Sequence, residues 1–166
     1  MISKQTVPDP GGTPKIFIAL GANLPSAAGP PAATLKAALA ALESRGIQIL
    51  NVSAFHQSEA WPDPAAPPFT NAVAQIRTEL QPVALLGLLH KVESDFGRER
   101  STPNAPRTLD LDLIDYQGRV ERNAVELPHP RMVERRFVLG PLAEIAPDWR
   151  HPVSGEPIQA LLSALG

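Results

Sequence analysis

Residues 105–116 read APRTLDLDLIDY. Leu109, Leu111 and Leu113 alternate with Asp110 and Asp112, and Arg107 stands just upstream. On a strand, residues i and i+2 face the same way, about 6.5–7 Å apart. Both carboxylates then share one face and the leucines the other. Two readings follow from this spacing alone. One is the solvated face of an antiparallel sheet. The other is a site for a hard cation. Aspartate is a poor strand former, and two adjacent like charges repel unless a divalent cation turns that repulsion into binding. Mg²⁺ prefers one or two carboxylates, keeps several waters and takes its remaining ligands from phosphates. A guanidinium at Arg107 would bind phosphate oxygens and neutralise charge in a phosphoryl-type transition state. Arg98 and Arg100, in the preceding segment GRERSTPNAPR, are either a solvated basic loop or more of the same apparatus. A basic loop followed by an acidic strand is the layout expected for Mg-nucleotide chemistry.

Neither GxxxxGK[ST] nor GxGxxG occurs, so phosphate handling would fall to side chains. His129 lies between Pro128 and Pro130, whose fixed backbone would aim the imidazole at a phosphate or into a local turn. His56, His90 and His151 lack zinc-site spacing and read as structural or exposed. Phe69 and Phe137 read as ordinary core when taken alone.

The elements that must position these residues follow from periodicity. Lys15–Leu20 (KIFIAL) predicts a central strand that turns at Gly21. Ala32–Arg45 has helical spacing, with Pro30 and Pro31 before it and Gly46 after it. Ile47–Phe55 predicts a second strand, and 56–68 a long proline-rich loop of the kind that is often functional. Phe69–Leu80 reads as a strand. A second helix runs from Pro82 to about Phe96, then a polar loop at 97–107 and the strand Leu109–Tyr116. A short strand starts at Val120, a helix spans Arg135–Ile145, and a last helix lies near Ile158–Leu165. This order predicts an α+β fold: a ferredoxin-like α/β sandwich, its antiparallel sheet packed by helices on one face, with long active-site loops.

A chain of 166 residues suits one domain with a real core. We expect a disordered tail at 1–14 and a single domain at 15–166. Nineteen prolines point to long loops. The net charge of −2 argues against general nucleic-acid or membrane-surface binding. The absence of cysteine excludes disulfides, thiol catalysis and Cys-ligated zinc. A cytoplasmic monomer is the expectation.

Several motifs together resemble the 6-hydroxymethyl-7,8-dihydropterin pyrophosphokinase family. APRTLDLDL at 105–113 resembles its signature and FIALGANL at 17–24 its first strand and turn. FTNAV at 69–73, VESDFGRER at 92–100 and LPHPRMVERRFVLGPLAEIAP at 127–147 are similar to further family elements, in order and spacing. The resemblance implies transfer of pyrophosphate from ATP to the hydroxymethyl group of a reduced pterin, leaving AMP, with two Mg²⁺ ions. It implies that Asp110 and Asp112 hold the metals and that Arg98 and Arg107 are catalytic, on the phosphates. Glu93, Leu113, His129 and Arg135 would join Arg98 and Arg107 in the nucleotide site. Phe69 and Phe137 would sandwich the pterin, Asn71 would read its edge, and Gly21, Ser58 and Trp61 would complete the pocket. The chain departs from the family pattern at Asn104-Ala105, Trp61 and Pro130.

Two other functions share parts of this pattern. An RNA-recognition-like module uses a similar sheet, but no aromatic pair occupies adjacent strand positions here. A two-aspartate nucleotidyl transferase shares the metal logic but has no use for Phe69, Asn71 and Phe137.

Overall fold

Ile16–Ala22 forms the central strand β1, buried along its whole length. The computed structural model describes residues 15–59, 65, 67–97 and 108–166; the expected tail at 1–14 lies outside them. After β1 come α1 (Pro31–Ser44), β2 (Gln48–Val52), β3 (His56–Ser58), β4 (Phe69–Arg77), α2 (Pro82–Asp95) and β5 (Asp110–Tyr116). Each of the two helices carries proline in its first turn. Each is followed by a glycine at positive φ, Gly46 and Gly97, where a side chain would be strained.

The main sheet runs β2-β4-β1-β5, with β3 also paired to β4. β4 and β5 are both antiparallel to β1, and β2 is antiparallel to β4. So β1 and β2 run parallel with β4 between them, while β4 and β5 run parallel with β1 between them. Two split βαβ units interleave.

Helices cover both faces, not the single face expected. On one side α1 (Leu35, Ala38, Leu42) and α2 (Leu85, Leu89, Val92) pack on Ile16, Ile18 and Leu20, with Leu109, Leu111 and Leu113. On the other, α3 (Arg136–Ile145) and α4 (Ile158–Ala164) bring Val138, Leu139, Leu142, Ile158 and Leu161 onto Phe17, Ala19, Val73 and Ile114. β1 and β4 are apolar at successive positions, so each exposes an apolar side to both layers, and the hydrophobic effect requires both to be covered.

Local readings also shift. The segment expected as loop at 56–68 opens with β3, too short and polar to show a period. Past β5, Glu121–Arg122 (β6) pairs with Glu126–Leu127 (β7), a hairpin where one short strand was expected. A 3₁₀ turn, Met132–Glu134, then leads into α3. No described helix is long and apolar enough to cross a membrane.

The alternation in β5 breaks once. Leu113 faces Ile18 and Asp115 faces Phe17, which leaves Ile114 as the extra residue of a bulge. The bulge turns Asp115 toward the α3 layer. There its buried carboxylate accepts hydrogen bonds from Trp149 Nε1 at 2.8 Å and Gly118 N at 3.0 Å. Desolvation raises its pKa, against the opposing pull of those two donors.

Candidate active site

Strand register assembles the site before any side-chain detail is needed. Across β3, β4, β1 and β5, His56 faces Asn71, Asn71 faces Gly21, and Gly21 faces Asp110. Two residues along, Ser58 faces Phe69, and two residues from Asp110, Asp112 faces Ala19. Directly opposed residues share a face. That face is the one α3 packs on, since Ala19 belongs to the α3 layer. The leucines of β5 face the other way, into the α1–α2 core.

Gly21 has a specific reason to be glycine. A Cβ there would lie 3.0 Å from Asn71 Oδ1, closer than ordinary van der Waals contact. The Asn71 carboxamide therefore lies across Gly21. Its Nδ2 donates to Ser58 Oγ at 2.8 Å.

The 3₁₀ turn and the start of α3 supply the opposite wall. Gly21, Ser58, Phe69, Asn71 and Phe137 line one cavity of about 260 Å³ with Asp110 and Arg135. Phe137 is 41% exposed, so it is not packed as a core residue. Arg135 lies 5.6 Å from the centre of the Phe137 ring and brings Nη1 to 3.7 Å from Asp112 Oδ2. One arginine thus links the aromatic wall to the acidic pair.

His129 follows β7. Its N–H donates to the Ile114 carbonyl at 2.9 Å, and its Nδ1 accepts from Arg131 N at 3.1 Å. Burial, reinforced by Arg135 and Arg131 and opposed by Asp110, pulls its pKa down to about 4. At neutral pH the ring is uncharged, with Nδ1 an acceptor, so the proton sits on Nε2 as a donor.

Two expected nucleotide-site residues, Glu93 and Leu113, have buried side chains. Glu93 is fully buried on α2, where Oε2 accepts the Leu111 N–H at 2.6 Å. The Leu113 side chain is buried among the helices of the opposite face. Trp61, Arg98 and Arg107 lie outside the described residues. The cavity also has Glu59, Arg131 and Glu134 on its rim, which sequence reasoning missed. Charged residues in loops and turns carry no periodic signal. Only the closeness of Arg131 and Glu134 to Arg135 and Phe137 in the chain could have flagged them.

Among the described residues no three His, Asp or Glu side chains form a complete metal cage. Two carboxylates on one face suit Mg²⁺ nonetheless, because that ion retains waters and is bound partly through substrate phosphates.

The family model of 7,8-dihydro-6-hydroxymethylpterin-pyrophosphokinase (HPPK) matches residues 17–147. The chain belongs to the HPPK family. A Synechocystis protein named 2-amino-4-hydroxy-6-hydroxymethyldihydropteridine pyrophosphokinase is 42% identical over 147 residues, covering 87% of this chain and 73% of that one. A protein of the same name from Porphyromonas gingivalis is 34% identical over 147 residues, covering 86% of this chain and 97% of its own. In fold, the chain is similar to the crystal structure of wild-type Plasmodium falciparum HPPK-DHPS, with TM-score 0.69 at 13% identity. That alignment covers 92% of this chain and 41% of the larger one, so the chain spans about two fifths of that protein. The HPPK match runs from β1 to just past α3 and so contains every described residue of the cavity wall, from Gly21 to Phe137.

Proposed function

We infer that this chain transfers the pyrophosphoryl group of ATP to the hydroxymethyl oxygen of 6-hydroxymethyl-7,8-dihydropterin, releasing AMP, in folate biosynthesis. The observation that carries this reading is the family match over residues 17–147. The cavity beside Asp110 supports it, since a flat heterocycle needs aromatic walls and an amide at its edge.

The work falls to named side chains. Phe69 and Phe137 hold the pterin ring between them. Asn71 reads the ring's donor and acceptor atoms, and the main chain around Gly21, Ser58 and Trp61 closes the pocket. Asp110 and Asp112 would hold two Mg²⁺ ions, whose charge would offset that of the phosphates. Arg98 and Arg107 act on the same phosphates. Arg135 would serve the nucleotide as well as Asp112, a role supported by its only partly buried contact with Asp112. Neutral His129 can donate from Nε2 to a phosphate oxygen. Glu93 serves the nucleotide site at one remove, by fixing the main chain of β5 at Leu111; Leu113 would contribute through its main chain. Transfer requires the two reacting oxygens in line across the phosphorus with water kept out.

The sheet order and the two interleaved split units support a ferredoxin-like assignment for this α+β fold. A single domain at 15–166, working as a cytoplasmic monomer, completes the reading.

Incubation with ATP, Mg²⁺ and the reduced hydroxymethylpterin tests the reaction. AMP and the pterin diphosphate are the expected products. ADP would point to an ordinary kinase, and omission of Mg²⁺ should abolish turnover.

A further inference from the structure

Glu144 stands in the last turn of α3, seven residues after Phe137. Residues seven apart lie on one face of a helix. Both oxygens of its carboxylate are engaged. Oε1 accepts from the Ala54 amide at 2.9 Å, and Oε2 pairs with His56 Nε2. Ala54 and His56 flank and open β3, so the helix that carries one wall of the cavity grips the strand that carries part of the other.

Among the described residues, little else holds β3 beyond its pairing with β4. It is three residues long and pairs with β4 through His56–Asn71, Gln57–Thr70 and Ser58–Phe69. Strands this short are marginal without tertiary support. Two of those three β4 partners, Asn71 and Phe69, line the cavity, as does Ser58, which accepts the Asn71 amide hydrogen bond. Whatever fixes the start of β3 therefore fixes where Ser58 stands against Asn71.

We propose that Glu144, through His56 and the Ala54 amide, is a positioning residue for the pterin, tying β3 to α3 so that the walls bearing Ser58 and Phe137 keep a set separation. Neither member of the pair lines the cavity, and the naming of the pterin as ligand rests on the pyrophosphokinase reading. The pair is partly exposed, at 46% for His56 and 37% for Glu144. Exposed ion pairs contribute little to global stability. The effect should thus be on substrate affinity and not on folding.

The test uses the full chain and compares Glu144→Ala, Glu144→Gln and His56→Ala with wild type. Pterin affinity is read from the fluorescence of the ring, and KM is measured separately for pterin and ATP. Losing the tie should weaken pterin binding about tenfold in Glu144→Ala, the scale of one or two hydrogen bonds. The KM for ATP should stay near the wild-type value, and the thermal midpoint should move by no more than a few degrees. Glu144→Gln keeps an acceptor for the Ala54 amide and should recover part of the affinity. Unchanged pterin affinity in Glu144→Ala and His56→Ala overturns the proposal. So does an equal loss for ATP and pterin, which would mark general loosening. Should Glu144→Ala fail to fold, His56→Ala decides on the same readouts. A wild-type chain that releases AMP while the variants match it overturns the tie alone. A wild-type chain that neither binds the pterin nor releases AMP overturns the pyrophosphokinase reading, and the tie with it.

Discussion

Asp110 and Asp112 show how a residue pattern can be read correctly and still leave its use open. Their common face was legible from the alternation LDLDL, and the register confirms it: they face Gly21 and Ala19 on the α3 side. Whether that face was solvated or part of a site depended on residues far away in the chain. We expect Asp110→Asn and Asp112→Asn each to lower kcat by at least about a thousandfold, the scale of losing a group that stabilises transition-state charge. Thermal melting should show both variants folded, since the Asp112–Arg135 contact is partly exposed and such pairs contribute about 0–1 kcal/mol. Gly21 makes the complementary case. Its small size looked like turn chemistry, yet it sits inside β1, and the reason is the Asn71 carboxamide lying over it. Gly21→Ala should push that amide aside and raise the KM for pterin about tenfold, the scale of one misplaced hydrogen bond, while kcat for bound substrate changes less. Steady-state kinetics at saturating ATP would check this, and an unchanged pterin KM would remove the packing argument.

At the scale of elements, long periodic segments were legible and short or irregular ones were not. α1, α2 and β5 fall within a residue or two of expectation because apolar spacing and flanking proline and glycine mark them. β3 has no period to detect. The bulge at Ile114 is also invisible to alternation, which would have put Asp115 on the leucine side. Its real position, facing Trp149 in the second core, has a measurable consequence. Burial raises the pKa of Asp115 above that of the unfolded chain. Folding favours the neutral form more than the unfolded chain does, so its contribution to stability is present at pH below the usual carboxylate range. It is lost as pH rises through the raised value. Asp115→Asn removes the charge and keeps one acceptor for Trp149 or Gly118. The stability of the variant relative to wild type should therefore grow more favourable from pH 4 to pH 8, measured by denaturant unfolding across that range. A difference that stays flat would show that the folded and unfolded carboxyl groups titrate alike.

The described residues form a sheet with two cores, and the second one joins α3, which carries Phe137 of the candidate site, to Trp149 and α4. The expectation of helices on one face came from the order of strands and helices, which reads as a split βαβ pattern. It missed that β1, apolar along its whole length, needs cover on both sides. α3 supplies that cover and also carries Phe137, while α4 and Trp149 hold α3 down: Trp149, Ile158 and Leu161 pack with Leu139 and Leu142. Yet the family match ends at residue 147, before all three. A chain cut after Pro147 would thus keep every described residue of the cavity and lose the layer beneath one wall. Burying each large apolar side chain stabilises by roughly 1.5–3 kcal/mol, so three of them represent about 5–9 kcal/mol. That is comparable to the total stability of about 5–15 kcal/mol typical of a domain. Truncation after Pro147 should therefore leave a chain that is largely unfolded at 25 °C, or one whose melting midpoint falls by more than about 10 °C. Point substitution offers a graded version. Leu161→Ala, at 7% exposure on α4, should cost about 2–4 kcal/mol without touching the cavity. If α3 is held by this layer, the variant's pterin KM should rise as temperature approaches its melting midpoint, before secondary structure is lost. A pterin KM that stays constant up to global unfolding would show that the sheet alone fixes Phe137, and that the second core serves stability only.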